Sequence, residues 1–190
     1  MTVRARDDAD APAPKPRLFV ALALPAVARE ALGRFRDAAA DPAVWRPLPE
    51  SSFHVTLAFL GHRPADDVER VAAVLRALRA PGAPALALGD GLLLPPRRAR
   101  VLTVELADRD GTLGTIQAEV SAGLAAAGLY VPEARPFRAH VTVARLRPGA
   151  RAPRALDAAP EALGFMGGAV TLYRSRLQRG GAVYEPLFAH

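Results

Sequence analysis

Two segments of the sequence repeat one five-residue pattern, and this repeat restricts the fold more than any other feature. Residues 54–58 read His-Val-Thr-Leu-Ala, and residues 140–144 read His-Val-Thr-Val-Ala. Side chains alternate along a β-strand, so a His and a Thr two residues apart share one face, about 6.6 Å apart along the backbone. Two such strands predict two related halves of the molecule, which would present two imidazoles and two hydroxyls to one cleft.

The same alternation predicts which neighbours of the motifs face the core. The expected core side of the two strands holds Val55, Leu57, Phe59, Val141 and Val143. Alanines 58 and 144 would then lie on the cleft face with the His and Thr residues. Arg138, two residues before His140, would share the cleft face and could contact a phosphate, whereas Arg145, five residues after His140, would not.

Apolar runs and helical spacing place the other elements. Strands are expected at 17–24, 52–60, 84–94, 101–106, 137–146, 169–178 and 182–188, the last two as a hairpin across Arg179–Gly181. Helices are expected at 26–40, from Pro64 to Pro81–Gly82, and at 110–127, with loops at 43–50 and 147–160. This order indicates an α+β or mixed α/β fold. Residues 1–16 read as a disordered tail, and residues 17–190 as a single domain.

Composition excludes several classes of function. The chain of 190 residues has no cysteine, which excludes a disulfide scaffold, a zinc finger, an iron–sulfur site and a cysteine nucleophile. It also lacks the glycine-rich phosphate loops of dinucleotide dehydrogenases and P-loop kinases. No apolar run is long enough to span a bilayer, and the N-terminus does not resemble a signal peptide. The net charge is +6, and arginine supplies nearly all of the positive charge. This charge is compatible with a polyanionic partner.

Two His-Thr pairs suit the hydrolysis of a phosphodiester. Two imidazoles can serve as one general base and one general acid, and two hydroxyls can donate hydrogen bonds to the non-bridging oxygens of a phosphate. A strained cyclic phosphate would need no metal ion. His62 could bring a third imidazole, but no carboxylate or cysteine stands at ligand spacing beside the motifs, so we expect neither a metal nor a cofactor. The residues alone do not assign acid and base.

Four segments make the chain resemble the 2H phosphoesterase superfamily, and within it the RNA 2′,3′-cyclic phosphodiesterases once named 2′-5′ RNA ligases. The matching segments are RLFVALALP (17–25), HVTLAFLG (54–61), PFRAHVTVAR (136–145) and YEPL (184–187). The resemblance implies an α+β fold with two pseudo-symmetric lobes, each a mainly antiparallel sheet with helices packed outside, around a central active-site groove. The chain departs from the family pattern at Ala139, where a proline usually precedes the second histidine.

The resemblance also implies an activity and a role for each motif residue. The enzyme would convert RNA 2′,3′-cyclic phosphate ends into 2′-phosphomonoesters, with a weak reversible ligase activity on 2′-5′ linkages. His54 would be the proton donor to the leaving 3′ oxygen and His140 the proton acceptor from water. Thr56 and Thr142 would hold the phosphate. The expected partner is RNA with a cyclic phosphate end, bound by a cytoplasmic monomer with no membrane attachment.

Other interpretations remain open from the sequence. A related enzyme could act on a small cyclic nucleotide or an ADP-ribose cyclic phosphate, and a noncatalytic module could bind RNA ends in the same groove. Phe19 could stack on a base or belong to the core. Trp45 could be a stacking platform or a loop anchor. A basic cluster could contact RNA phosphates or remain a solvated loop; it consists of Arg97, Arg98 and Arg100.

Overall fold

The structure is a computed structural model that describes residues 15–79, 82–178 and 181–190. The predicted tail at 1–16 therefore lies outside the described residues except for its last two positions. Three helices are described: α1 (Ala26–Ala39), α2 (Asp67–Arg76) and α3 (Thr112–Ala126). The described strands are β1 (Arg17–Ala23), β2 (Trp45–Pro47), β3 (His54–His62), β4 (Ala85–Leu94), β5 (Val101–Asp108), β6 (His140–Leu146), β7 (Gly164–Met166), β8 (Val170–Gln178) and β9 (Gly181–Ala189).

The two motif strands lie side by side at the centre of one antiparallel sheet. The strand order is β7-β4-β5-β6-β3-β1-β8-β9, and β2 adds to β6 off this path. From the centre outwards, one half consists of β6, β5, β4 and β7, and the other of β3, β1, β8 and β9. The halves meet where Val55 pairs with Val141. This arrangement is the pseudo-two-fold symmetry that the repeated motif predicts.

The helices tie the two halves into one core. α1 begins directly after Pro25, which suits a helix start because proline fixes φ and needs no hydrogen-bond donor there. Its buried residues include Leu32 and Phe35, and α1 contacts β6 of the other half. α3 buries Leu113 and Leu124 and contacts β3 in the same crossed manner. Each half therefore covers the motif strand of the other, and the cleft face of the sheet stays open.

A β-bulge in β3 changes the alternation that the sequence predicts. Val20 of β1 pairs with Ala58, and Ala21 pairs with Thr56, so Leu57 is left without a partner. Such an extra residue reverses the facing of the residues that follow it, here up to a second irregularity at Leu60. Leu57 and Ala58 are both buried, and Phe59 is 57% exposed. The expectations that Phe59 belongs to the core and Ala58 to the cleft face were therefore wrong.

β6 carries an equivalent bulge at the equivalent residue. Leu102 pairs with Ala144 and Thr103 with Thr142, so Val143 is the unpaired residue. Val143 and Ala144 are both buried, and Arg145 is exposed on the face of the sheet that carries Thr142. The prediction that Arg145 does not share the face of His140 was wrong for this reason, as was the placing of Ala144 on the cleft face.

Two short strands escape prediction because neither exceeds three residues. β2 lies in the segment 43–50, which was expected to be a loop, and pairs with β6. Trp45 at its start is 1% exposed, so this residue anchors the segment in the core and offers no stacking surface. β7 pairs with β4, and the predicted β8–β9 hairpin is present. None of the helices in the described ranges has the length and apolar content needed to cross a membrane.

Candidate active site

The structure brings the four motif side chains together on one face of the sheet. Because β3 and β6 are antiparallel with Val55 opposite Val141, Thr142 comes beside His54, and His140 comes beside Thr56. The valines are buried on the helix side, and the four polar residues are partly exposed on the other. Each histidine therefore has the hydroxyl of the other half as its cross-strand neighbour.

Both histidines are fixed by the same local device. Each is the first residue of its strand, and its ring turns back to the carbonyl oxygen two residues earlier. Nδ1 of His54 lies 2.8 Å from the Ser52 oxygen, and Nδ1 of His140 lies 2.7 Å from the Arg138 oxygen. A carbonyl can only accept, so each Nδ1 donates its hydrogen, and Nε2 is left to exchange a proton with a substrate.

The ring of His54 lies among aromatic rings from the neighbouring strands. Its centroid is 4.9 Å from Phe19, 5.1 Å from Tyr184 and 6.2 Å from Tyr173. Phe19 stacks on Tyr173 at 5.2 Å and is only 3% exposed. Phe19, the residue considered for base stacking, therefore supports His54 from within the protein. The two tyrosines belong to strands that carry no motif, and only knowledge of the strand order could have placed them beside His54.

This environment makes protonation of His54 unfavourable. Burial lowers the pKa of His54 from 6.5 to about 4, although the hydrogen bond to Ser52 opposes the shift. Coulombic repulsion from Arg145 and His140 lowers this pKa further. His54 is consequently neutral at pH 7 in the unliganded protein, and an anion bound beside it would favour its protonated form.

We expect the His54 ring to titrate near pH 4 in the free protein and at a higher pH when inorganic phosphate is bound. The folded-state pKa lies below the unfolded value, so the unfolded chain binds more protons between these two pH values. Stability should therefore decrease as the pH falls through that interval, by up to about 3 kcal/mol. Nitrogen chemical shifts of the histidine rings and urea unfolding at several pH values measure the two effects. A His54 titration near 6.5 in the free protein would contradict the burial argument.

Two arginines near the motifs have different surroundings. The side chain of Arg138 forms an ion pair with Glu105, with Nε 2.8 Å from Oε1, so a direct phosphate contact would require this pair to open. No carboxylate within the described ranges forms an ion pair with Arg145, whose charge acts on His54. Arg46 of β2 lies directly across from Arg145. The sequence signal for Arg145 was the apolar residue followed directly by alanine that each motif strand carries at its bulge.

Comparisons with known proteins agree with this architecture. A family model described as the 2′-5′ RNA ligase superfamily matches residues 24–179. The Escherichia coli protein named RNA 2′,3′-cyclic phosphodiesterase is 34% identical over 175 residues, which cover 90% of this chain and 93% of that protein.

Solved structures show the same fold. A crystal structure described as a phosphoesterase has a TM-score of 0.78 and 28% identity, covering 93% of this chain and 97% of its own. The crystal structure of E. coli LigT complexed with 3′-AMP has a TM-score of 0.76 and 28% identity, again covering 93% and 97% of the two chains. The expected α+β fold with a mainly antiparallel sheet is thereby confirmed.

Proposed function

Because the chain belongs to the 2′-5′ RNA ligase superfamily, we propose that it hydrolyses RNA 2′,3′-cyclic phosphate ends to 2′-phosphomonoesters. The observation that carries this proposal is the matched anchoring of two imidazoles on one face of the sheet. Binding a phosphate needs hydrogen-bond donors only, whereas hydrolysis also needs a group that accepts a proton and one that donates it. The groove offers both, with a threonine hydroxyl next to each.

The reaction proceeds by in-line attack of water on the phosphorus. Nε2 of His140 accepts a proton from the water as the new phosphorus–oxygen bond forms. Nε2 of His54 gives its proton to the 3′ oxygen as the bond between phosphorus and that oxygen breaks. Thr56 and Thr142 donate hydrogen bonds to the non-bridging oxygens, where negative charge increases in the transition state. This division of roles follows the family resemblance.

The low pKa of His54 is compatible with its role as the acid. The cyclic phosphate carries a negative charge, which raises the pKa of the adjacent imidazole when the substrate binds. Because His54 holds its proton mainly through the negative charge of the bound phosphate, it readily releases that proton to the leaving 3′ oxygen. The aromatic residues around His54 restrict the access of water to its ring, which favours transfer of its proton to the substrate.

The proposed function is tested with a short RNA that ends in a 2′,3′-cyclic phosphate, incubated with the protein in excess EDTA. Phosphorus NMR should show conversion to a 2′-phosphomonoester without added metal. A 3′-phosphate product, or no conversion by folded protein, would overturn the proposal. A cyclic mononucleotide in a parallel sample separates action on RNA ends from action on small cyclic nucleotides.

Replacing Arg145 with glutamine should lower kcat/KM on the cyclic phosphate by about 10- to 150-fold. A hydrogen bond between a charged side chain and a phosphate contributes about 1.5–3 kcal/mol, and Arg145 lies on the groove face with no ion-pair partner in the described part of the chain. Arg138→Gln is the matched control, because Arg138 is paired with Glu105. A larger loss in the Arg138 variant would instead assign the phosphate contact to Arg138.

We also propose that the protein acts as a monomer in the cytoplasm, without a metal or cofactor. One chain supplies both histidines and both threonines of the groove, so no second copy is needed to complete it. The absence of cysteine from the sequence is compatible with a reducing compartment. Sedimentation equilibrium should give the mass of one chain, 20.1 kDa.

A further inference from the structure

An open cavity of about 1410 Å³ lies beside the far end of β6. Its walls are residues 90–93 of β4, the turn at 96–100, and residues 146–156, 158 and 159 at the end of β6 and in the connection that follows it. On the outer edge of β4, β7 pairs only with Ala85–Ala87, which leaves the following residues to the cavity. None of the four motif residues lines it, so the cavity is separate from the catalytic groove.

The cavity concentrates positive charge. Its charged lining residues are Asp90, Arg97, Arg98, Arg100, Arg147, Arg151 and Arg154. The formal excess of five positive charges compares with +6 for the whole chain, so arginine is not spread evenly over the surface. In the described ranges none of these arginines forms a salt bridge, although arginines elsewhere pair with glutamate or aspartate, as Arg174 does with Glu185. A site with this charge is completed by an anionic ligand.

β6 connects this cavity to the catalytic residues. Thr142 and Arg147 are five positions apart, which corresponds to about 17 Å along an extended strand. Arg145 and its cross-strand neighbour Arg46 are exposed between them. Positively charged residues therefore lie between the phosphate position in the groove and the cavity, and a few nucleotides of extended RNA can cover this distance. At the edge of the cavity, Nε of Arg147 donates a hydrogen bond to the carbonyl oxygen of Pro42.

We infer that the cavity binds phosphates of the RNA strand adjoining the cyclic phosphate end. The inference rests on the proposed function, since it takes the strand to begin in the groove. Arginine forks match phosphate oxygens, and no aromatic residue of the described chain lines the cavity to stack on bases. The site therefore favours longer RNA ends over mononucleotides without selecting a base sequence.

The test compares kcat/KM for a cyclic mononucleotide and for a short RNA, both ending in a 2′,3′-cyclic phosphate. Three proteins are used: wild type, Arg97→Gln/Arg151→Gln, and the charge-matched control Arg79→Gln/Arg109→Gln. Arg109 follows the opposite end of β5, and Arg79 follows α2. The cavity variant should lose roughly tenfold on RNA and nothing on the mononucleotide. The slope of its salt dependence should decrease by about 0.7 for each phosphate that the variant no longer binds.

The outcomes separate this inference from the proposed function. A wild-type enzyme that does not prefer RNA, or a control variant that loses as much as the cavity variant, would overturn the inference alone. A wild type inactive on both substrates would overturn the proposed function. Fluorescence anisotropy with the same RNA would then decide the inference: weaker binding in the cavity variant alone supports it, and equal binding by all three proteins refutes it.

Discussion

Replacing either motif histidine with alanine should lower the rate of cyclic phosphate hydrolysis by about 10²- to 10⁴-fold. Each histidine is fixed by its Nδ1 hydrogen bond with Nε2 free to exchange a proton, so each substitution removes one complete proton transfer. The two transfers belong to one transition state. The double variant should therefore be little slower than the slower single variant.

Phosphorus NMR on the same RNA, in EDTA, measures these rates. His62→Ala is the matched control, because His62 is exposed at the other end of the strand that begins with His54. This control should keep the wild-type rate. Near-wild-type turnover in both motif variants would rule out the proposed acid–base pair. His54→Gln, which keeps more of the side-chain volume, guards against a loss caused by collapse of the aromatic surroundings.

The two halves of the site share a backbone arrangement but give their histidines different environments. On β1, β8 and β9, aromatic residues surround His54 and lower its pKa to about 4. On β5, the cross-strand neighbour of His140 is Glu105, a carboxylate. Symmetry thus positions two identical groups, and the neighbouring strands make them chemically unequal.

The sequence was sufficient to predict the centre of the sheet. Two equivalent strands, each with one apolar face, can bury those faces in a common core if they occupy related positions in two halves of the molecule. In that arrangement the histidines and threonines on the opposite faces lie in one cleft. The strand order beyond the centre depends on long-range pairing that no local pattern encodes. Tyr173 and Tyr184 reach His54 only because β8 and β9 follow β1 outwards, so their role could not be predicted.

The bulges account for the remaining errors in predicting the site. Strict alternation predicts that Phe59 faces the core and that Arg145 faces away from the groove. The unpaired residues Leu57 and Val143, which precede them, reverse both orientations. Because the bulges are equivalent, Phe59 and Arg145 occupy the same position in the two halves, one aromatic and one cationic. The sequence did contain a sign of the bulges, because an apolar residue followed by alanine comes directly after each His-Val-Thr. This pair marks the point where side chains stop alternating between the two faces of the strand.

Phe19 and Phe59 lead to opposite predictions although they are directly paired across β1 and β3. Phe19→Ala should cost about 3–5 kcal/mol of folding free energy, because a ring that is 3% exposed leaves a cavity that its surroundings fill only partly. In a chain of this length that corresponds to a decrease in Tm of about 6–20 °C. The pKa of His54 should rise towards 6.5, since water would reach the imidazole through the cavity.

Phe59→Ala should change stability by less than about 1 kcal/mol, because the Phe59 ring is 57% exposed. Its position on the groove face after the bulge makes it the better ring for stacking a base, so this variant should raise KM for RNA and leave the pKa of His54 near 4. Thermal unfolding, histidine NMR titration and kinetics on the two purified variants separate the roles. If Phe19→Ala raised KM without loss of stability, Phe19 would contact the substrate, as the sequence alone allowed.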